Sequence, residues 1–524
     1  MTHWLERLRQ MPAPPERMIH VVLPMAVALV AILTVTPWPV GAFQDDAMYT
    51  VLAKSLAEGR GFRFLNLPGE PNATHFPPGY PLVLAVIWRV WPSFPDNIVA
   101  FKFLNAFFLG AAASGAYVFA RRRFATPVLG AVTVAVIGTL SIVVLLVTGV
   151  VMSEPMFLAV LFPSLLAAER AVETGKWRDA LVAGLCLGAL SMVRTLGVFA
   201  VPALGLTLLL RRQLTAAVAA GVGAAVFLVP WQLWVGAHQA EIAPVLVGKF
   251  GSYGSWLVDG YREGGVEFAK AVLVKNVEGL VGVLSYHFLP VLAVWPRLVV
   301  FAAVIGFALL GTGRFRRNAP VTLGFLILYT VVIMLWPFDP VRFTLALWPL
   351  WPLLVGCGVL AAWTAAGRAA RPARLAGHAG IALLTAAFVG GSLQYNWTGY
   401  TRKWWVSAQR DAGKRAKPIV EWAARYTDST TVLSTEDDLI VYLYANRKSV
   451  PTSTFLPIQR VRNLTDPEDV QVVRDIFSSY QPSWFLIGSQ QGFRTAGTLA
   501  AGPNPLLRYV GRTPDVLIYQ RQTP

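Results

Sequence analysis

Long apolar runs broken by short basic clusters set the pattern of this chain. The first apolar run extends from Ile19 to Val40, enough residues to cross a bilayer as a helix. Basic clusters then recur between the runs: Arg7, Arg9 and Arg17; Arg121, Arg122 and Arg123; Arg170, Lys176 and Arg178; Arg211 and Arg212; Arg314, Arg316 and Arg317; and Arg368, Arg371 and Arg374. Placing every cluster on the cytoplasmic side requires an even number of crossings between successive clusters. Spans at roughly 19–40, 98–120, 126–148, 154–170, 179–195, 197–211, 213–235, 298–313, 319–337, 343–363 and 376–395 meet that condition. The pattern predicts a polytopic helical membrane protein with eleven spans, its N-terminus inside and its C-terminus outside.

The run from Tyr80 to Trp91 is apolar but short for a span. Counting it would also move Arg121–Arg123 to the outer side. Trp88, Trp91, Pro81 and Pro92 suit the headgroup level, so this run reads as an interfacial helix. Three outer segments are long enough to hold structure, at about 41–97, 236–297 and 396–524. The last alternates strand-like runs (Thr431–Ser434, Trp484–Ile487, Val516–Tyr519) with helical ones (Pro418–Tyr426, Asp437–Tyr444), which predicts a small α/β domain. The expected division is a membrane domain over 1–395 and an extracytoplasmic domain over 396–524.

Composition agrees with this picture. Hydrophobic residues make up 55% of the 524 and charged ones 14%, where a soluble chain carries roughly 25%. Mean hydropathy is +0.54. A net charge of +17 could suggest nucleic acid, but the basic residues sit between apolar spans, so no nucleic-acid partner is expected. Cys186 and Cys357 both lie inside apolar runs, which argues against a disulfide framework. The run at Ile19–Val40 has no small-residue cleavage site after a short apolar core and reads as a retained span.

The candidate chemistry begins at Asp45-Asp46, just beyond the first span. Asp is a favoured helix N-cap, and Ala47–Ala57 reads as an amphipathic helix on the outer leaflet that would hold the two acids at the surface. Glu154 and Arg194, at outer ends of spans, and Arg342, just before a late span, fall on the same side of the predicted topology. Acids and guanidinium groups on one leaflet form a candidate active site; structural ion pairs would give the same pattern. His75 lies close to the acids in sequence. Lys102 sits at the outer end of a span, where snorkelling is the usual role and phosphate binding the alternative.

The string from Asp45 to Gly59 resembles the first outer loop of the GT-C glycosyltransferases, in the protein O-mannosyltransferase and aminoarabinose-transferase branch (family 39-like). Phe76-Pro77-Pro78-Gly79-Tyr80-Pro81-Leu82 is similar to the segment that follows it in many bacterial members. Ser153-Glu154-Pro155 resembles a second acidic motif, Leu190–Arg194 a span ending in Arg, and Arg342-Phe343 an arginine motif before a late span. The resemblance runs in order over about 15–395. It implies a GT-C-type bundle and an inverting transfer of a sugar from a polyprenyl-phosphate donor to an acceptor hydroxyl at the outer face. It implies Asp45 as general base, Asp46 or Glu154 as orienting acids, and Arg194 and Arg342 on the phosphate. By their position near these groups, His75, Lys102 and Tyr80 are further candidate substrate contacts. No metal is required because phosphate is already a good leaving group, although some members hold a divalent metal with similar acids. The acceptor is a lipid, a glycan or a protein, and the location implied is the plasma (inner) membrane.

Two other readings fit a polytopic chain. A lipid-linked sugar transporter or flippase would place charges mid-span and show two similar halves, neither of which the sequence displays. A membrane-anchored binding protein would need far fewer spans and would leave the acidic pair without a role.

Overall fold

The computed structural model describes residues 16–37, 40–501 and 503–522. Arg7 and Arg9 of the first basic cluster lie outside the described residues, as do Trp38 and Pro39 of the first expected span. Each expected span holds helix. The bundle is built from α1 (Glu16–Leu33), α4 (Ile98–Phe124), α5 (Val128–Thr139), α6 (Ile142–Thr148), α7 (Glu154–Thr174), α8 (Trp177–Val193), α9 (Ala200–Leu210) and α10 (Leu214–His238). It continues with α13 (Val294–Asn318), α14 (Pro320–Leu335), α16 (Leu350–Ala366) and α17 (Arg371–Thr401). Between these lie α2 (Asp45–Ala57), α3 (Gly79–Val90), α11 (Val247–Phe250), α12 (Tyr253–Phe288) and α15 (Pro340–Leu345).

Length separates these helices. Six of them, the first helix and those around Ile98–Phe124, Glu154–Thr174, Leu214–Glu241, Val294–Asn318 and Arg371–Thr401, are long and apolar enough to cross a membrane. The pair α5 and α6 makes a seventh if a 54° bend is allowed within one span. The remaining expected spans are helices of 17 residues or fewer, such as α8 and α14. The lengths among the described residues therefore support six or seven crossings, fewer than the basic-cluster pattern requires.

Local chemistry explains the helix ends. Arg121–Arg123 close α4 and Arg316–Arg317 close α13, where cations complement the carbonyl end of the helix dipole. Helix α7 stops at Gly175, whose φ of 64° gives the left-handed cap that other residues resist. Helices α8 and α10 pack at backbone contact through small residues: a Cβ on Gly184 would come within 2.1 Å of the Ala220 carbonyl oxygen.

The first outer segment differs from the sequence expectation. Helix α2 does not lie on the surface with one apolar face. Asp46 to Ala53 and Ser55 are all buried, because the loop at 62–76 and the C-terminal domain cover the face that would otherwise meet solvent. One core holds Val51, Leu52, Phe64, Tyr80, Phe250, Leu439, Leu443 and Ile476, so the two long segments between bundle helices and the tail pack as a single layer at one end of the bundle. Helix α3 keeps an exposed apolar stripe of Leu82, Val86 and Val90.

The tail forms the expected α/β unit with more strands than the sequence suggested. Helix α17 runs through the expected boundary at 395, and the break falls at Lys403, before α18 (Trp404–Tyr426). Then follow β1 (Val432–Thr435), α19 (Asp438–Ala445), β2 (Lys448–Val450), α20 (Asp466–Tyr480), β3 (Trp484–Ile487), α21 (Gln490–Ala500), β4 (Leu507–Thr513) and β5 (Val516–Arg521). The sheet order is β2-β1-β3-β5-β4, with the first three strands parallel and the last two antiparallel. Alternation sends Leu486 to the face shared with Ile419 and Val441, and Phe485 and Ile487 to the face shared with Val473 and Phe477.

Candidate functional site

The two adjacent acids take different tasks. Asp46 is fully buried. Its Oδ2 accepts from the Gly41 and Ala42 N–H groups at 2.8 and 3.2 Å, and its Oδ1 accepts from Phe43 and Ala47 at 3.2 and 3.0 Å. Burial pushes its carboxyl up, and those N–H groups pull it back. Asp46 folds the loop before α2, and Gln44 closes that turn with a φ of 62°. The fixed turn aims Asp45 the other way, into a cavity.

Asp45 Oδ2 accepts from Arg342 Nη1 at 2.7 Å. Arg342 Nε donates to Glu154 Oε1 at 2.8 Å, and the same oxygen takes Arg194 Nη1 at 2.8 Å. Arg194 Nη1 also donates to Ser153 Oγ at 3.1 Å, and that hydroxyl lies 3.1 Å from the Tyr49 hydroxyl. Two carboxylates and two guanidinium groups thus form one neutral chain of contacts. Each side chain is held at an element end. Arg342 sits on α15, which starts with Pro340 and is capped by Asp339 accepting from Val341 N–H at 2.9 Å. Glu154 opens α7 ahead of Pro155, and Arg194 follows α8 in an extended conformation.

Asp45, Arg194, Arg342 and His75 line a cavity of about 420 Å³. Glu154 lies behind it, buried, and its Oε2 has no hydrogen-bond partner among the described residues. The Arg194 guanidinium makes its polar contacts among the described residues through Nη1 alone, leaving Nε and Nη2 for a ligand. His75 Nδ1 donates to the Gly251 carbonyl oxygen at 2.8 Å, which leaves Nε2 as the acceptor. Burial, between Phe76 and Tyr253, pushes its pKa down. The roof of the cavity includes Lys249 and a tail loop, Ser453 to Phe455. Lys249 Nζ pairs with Asp438 Oδ1 at 2.9 Å, and Phe455 stacks on Phe338 with centroids 4.7 Å apart.

Four sequence candidates lie outside the cavity lining: Glu154, just behind it, and Asp46, Tyr80 and Lys102. Tyr80 donates to Asn105 Oδ1 at 3.0 Å, and Asn105 Nδ2 donates to the Val150 and Met152 carbonyls at 2.9 and 3.1 Å. Both therefore brace the segment that delivers Glu154. Lys102 Nζ donates to the Thr36 carbonyl at 2.9 Å and to Gln409 Oε1 at 2.8 Å, tying the end of the first span to α18. Sequence reasoning missed Asn105, Lys249 and the Ser453–Phe455 loop, which carry no motif. Ser153 and Tyr49 stood inside quoted motifs without a role of their own.

Among the described residues, no three His, Cys, Asp or Glu side chains come together as a metal cluster. Arg342 stands between Asp45 and Glu154, where a cation would have to displace it.

No family model and no curated protein matches the chain. The chain is similar to ArnT from Cupriavidus metallidurans. Against the structure of ArnT bound to undecaprenyl phosphate, identity is 14% over 95% of this chain and 97% of that one, with a TM-score of 0.45. Against the apo structure, identity is 15% over 96% and 98%, with a TM-score of 0.42. The likeness is remote, and what the site can do follows from its own side chains.

Proposed function

We propose that this protein is an inverting membrane glycosyltransferase that moves a sugar from a polyprenyl-phosphate donor to an acceptor hydroxyl at the outer face of the membrane. The observation that carries this reading is one cavity into which a carboxylate, Asp45, and a guanidinium with spare donors, Arg194, both open. In the transfer the acceptor oxygen attacks the anomeric carbon. Its proton passes to Asp45, acting as general base. The bond from that carbon to the phosphate oxygen breaks, and polyprenyl phosphate leaves with the electron pair. Arg194 and Arg342 neutralise the leaving phosphate through N–H donors. Glu154 acts through the arginines as a positioning residue, and Asp46 acts through the loop that aims Asp45. His75 offers Nε2 as an acceptor to a sugar hydroxyl.

A second feature supports a lipid-linked donor. An apolar groove of about 560 Å³ lies between α3, α7, α8 and α10, lined by Leu82, Met156, Met192, Val193 and Trp231 among others. Met156 follows Glu154 by two residues and Val193 precedes Arg194, so a phosphate on Arg194 would have an apolar path beside it for its chain. The order of motifs shared with GT-C enzymes supports the same reading.

The test is Asp45→Asn in the purified full-length protein. Transfer should fall by about 10²- to 10⁴-fold, the usual contribution of a general base, while donor binding persists. Turnover at the wild-type rate would remove Asp45 from the mechanism. Profiling lipid-linked sugars in cells with and without the protein should show one donor accumulating, which names the sugar.

A further inference from the structure

The far end of α2 carries a second cavity that the proposed reaction does not use. It has a volume of about 440 Å³ and lies between the last turn of α2, the end of α3, the loop after it and the end of α19. Lys54 and Arg89 are its cations, Trp88 and Phe94 its aromatic wall, and Asn446 its neutral polar group. Trp88 and Phe94 stack with centroids 5.5 Å apart.

The cations are unspent. Lys54 Nζ has no hydrogen bond and no ion pair within 4 Å among the described residues; its neighbour is the Tyr442 ring, 4.8 Å away. Arg89 likewise has no hydrogen bond or ion pair among the described residues, and it is exposed. Glu58 also lines the cavity, but its ion-pair partner is Arg60, at 3.9 Å. Burial and the like charges of Arg60 and Lys448 push the Lys54 pKa down, and the Glu58 charge opposes them. A lysine held in such surroundings gains from an arriving anion.

The position says where that anion would come from. Val86, Val90 and Trp91 are exposed large apolar side chains immediately beside Arg89. An exposed apolar stripe ending in an arginine suits a helix lying at the headgroup level of the outer leaflet.

We propose that this cavity binds an anionic phosphate group, with Lys54 and Arg89 as its ligands, at the surface where α3 meets lipid. The shared chemistry is a phosphate carrying net negative charge, on a lipid or free in solution. A bound group would bridge the outer helices and the tail domain through Lys54, Arg89 and Asn446.

The test uses the full-length protein in bilayer discs containing phosphatidylglycerol and phosphatidylcholine, with Lys54→Gln and Arg89→Gln variants. Native mass spectrometry reads the phosphatidylglycerol retained on release. Retention should fall about fivefold for each cation removed, the usual contribution of one basic residue near an anionic surface. If inorganic phosphate does not displace the retained lipid, the ligand is a headgroup. If inorganic phosphate raises the melting temperature of the wild type and not of the variants, without lipid selectivity, the ligand is free phosphate. Equal lipid retention and equal phosphate response in wild type and variants would overturn the site. Arg89 is exposed, so Arg89→Gln keeps the test readable should Lys54→Gln not fold.

Discussion

Glu154→Gln is the most informative single change in this protein. Glu154 Oε1 accepts from both Arg194 and Arg342 at 2.8 Å, and its side chain is 2% exposed. Glutamine presents an amide oxygen in the same place and keeps both hydrogen bonds, so the substitution removes charge and little else. Each carboxylate–guanidinium pair is worth roughly 4 kcal/mol at 4 Å with an effective dielectric near 20. The two pairs are offset by several kcal/mol of carboxylate desolvation. Removing one member of a buried pair therefore leaves a net loss of about 3–5 kcal/mol. With an unfolding entropy of about 2.1 cal/mol/K per residue over 524 residues, the midpoint should fall by about 3–5 °C. Thermal unfolding in lipid discs reads that shift, and a transfer assay on the same sample reads the site. Transfer should fall too, because Arg342 loses one of the two anions that hold it. Glu154→Asp is the control: it keeps the charge but cannot reach both arginines. A Glu154→Gln variant that melts with the wild type and transfers at the wild-type rate would refute the view that this carboxylate positions the arginines.

Other perturbations test other contacts. His75 is neutral in its buried site and has a pKa below its unfolded value near 6.5. The unfolded chain therefore binds the extra proton first, so stability should be full above about pH 6.5 and fall as pH drops below it; His75→Gln should flatten that fall in a pH series of melting temperatures. Gly248→Ala would put a Cβ within 1.7 Å of the Phe455 carbonyl oxygen and 2.7 Å of Trp256 Nε1. It should cost about 1–3 kcal/mol and loosen the tail loop, seen as faster limited proteolysis near Phe455 with the bundle still folded.

The sequence made the helices legible because lipid-facing and water-facing stretches differ in composition. The apolar runs read as spans at 98–120 and 213–235 emerge as helices over Ile98–Phe124 and Leu214–His238. It did not reveal how α2 is covered. Periodicity reports which residues avoid water, and residues 47–57 alone cannot say that a loop and a distant domain bury the polar side as well. Asp45, Arg194 and Arg342 were named because acids and arginines at span ends are few. The division of labour between Asp45 and Asp46 was hidden, since it depends on four loop N–H groups that any residue type supplies. Lys102 read as a phosphate contact or a snorkelling cation, yet its partner Gln409 lies 307 positions away, beyond any local signal. The missing strands β2 and β4 are short or exposed, with three residues in one and a largely open face on the other, so alternation had little to display.

The roof of the cavity has a consequence for how the protein matures. Asp45 leaves the ribosome well before Phe455 and its loop. The cavity stays unroofed until that loop has docked over it. A nascent chain that has not yet made this loop would hold Asp45, Arg194 and Arg342 in an open, wetted site.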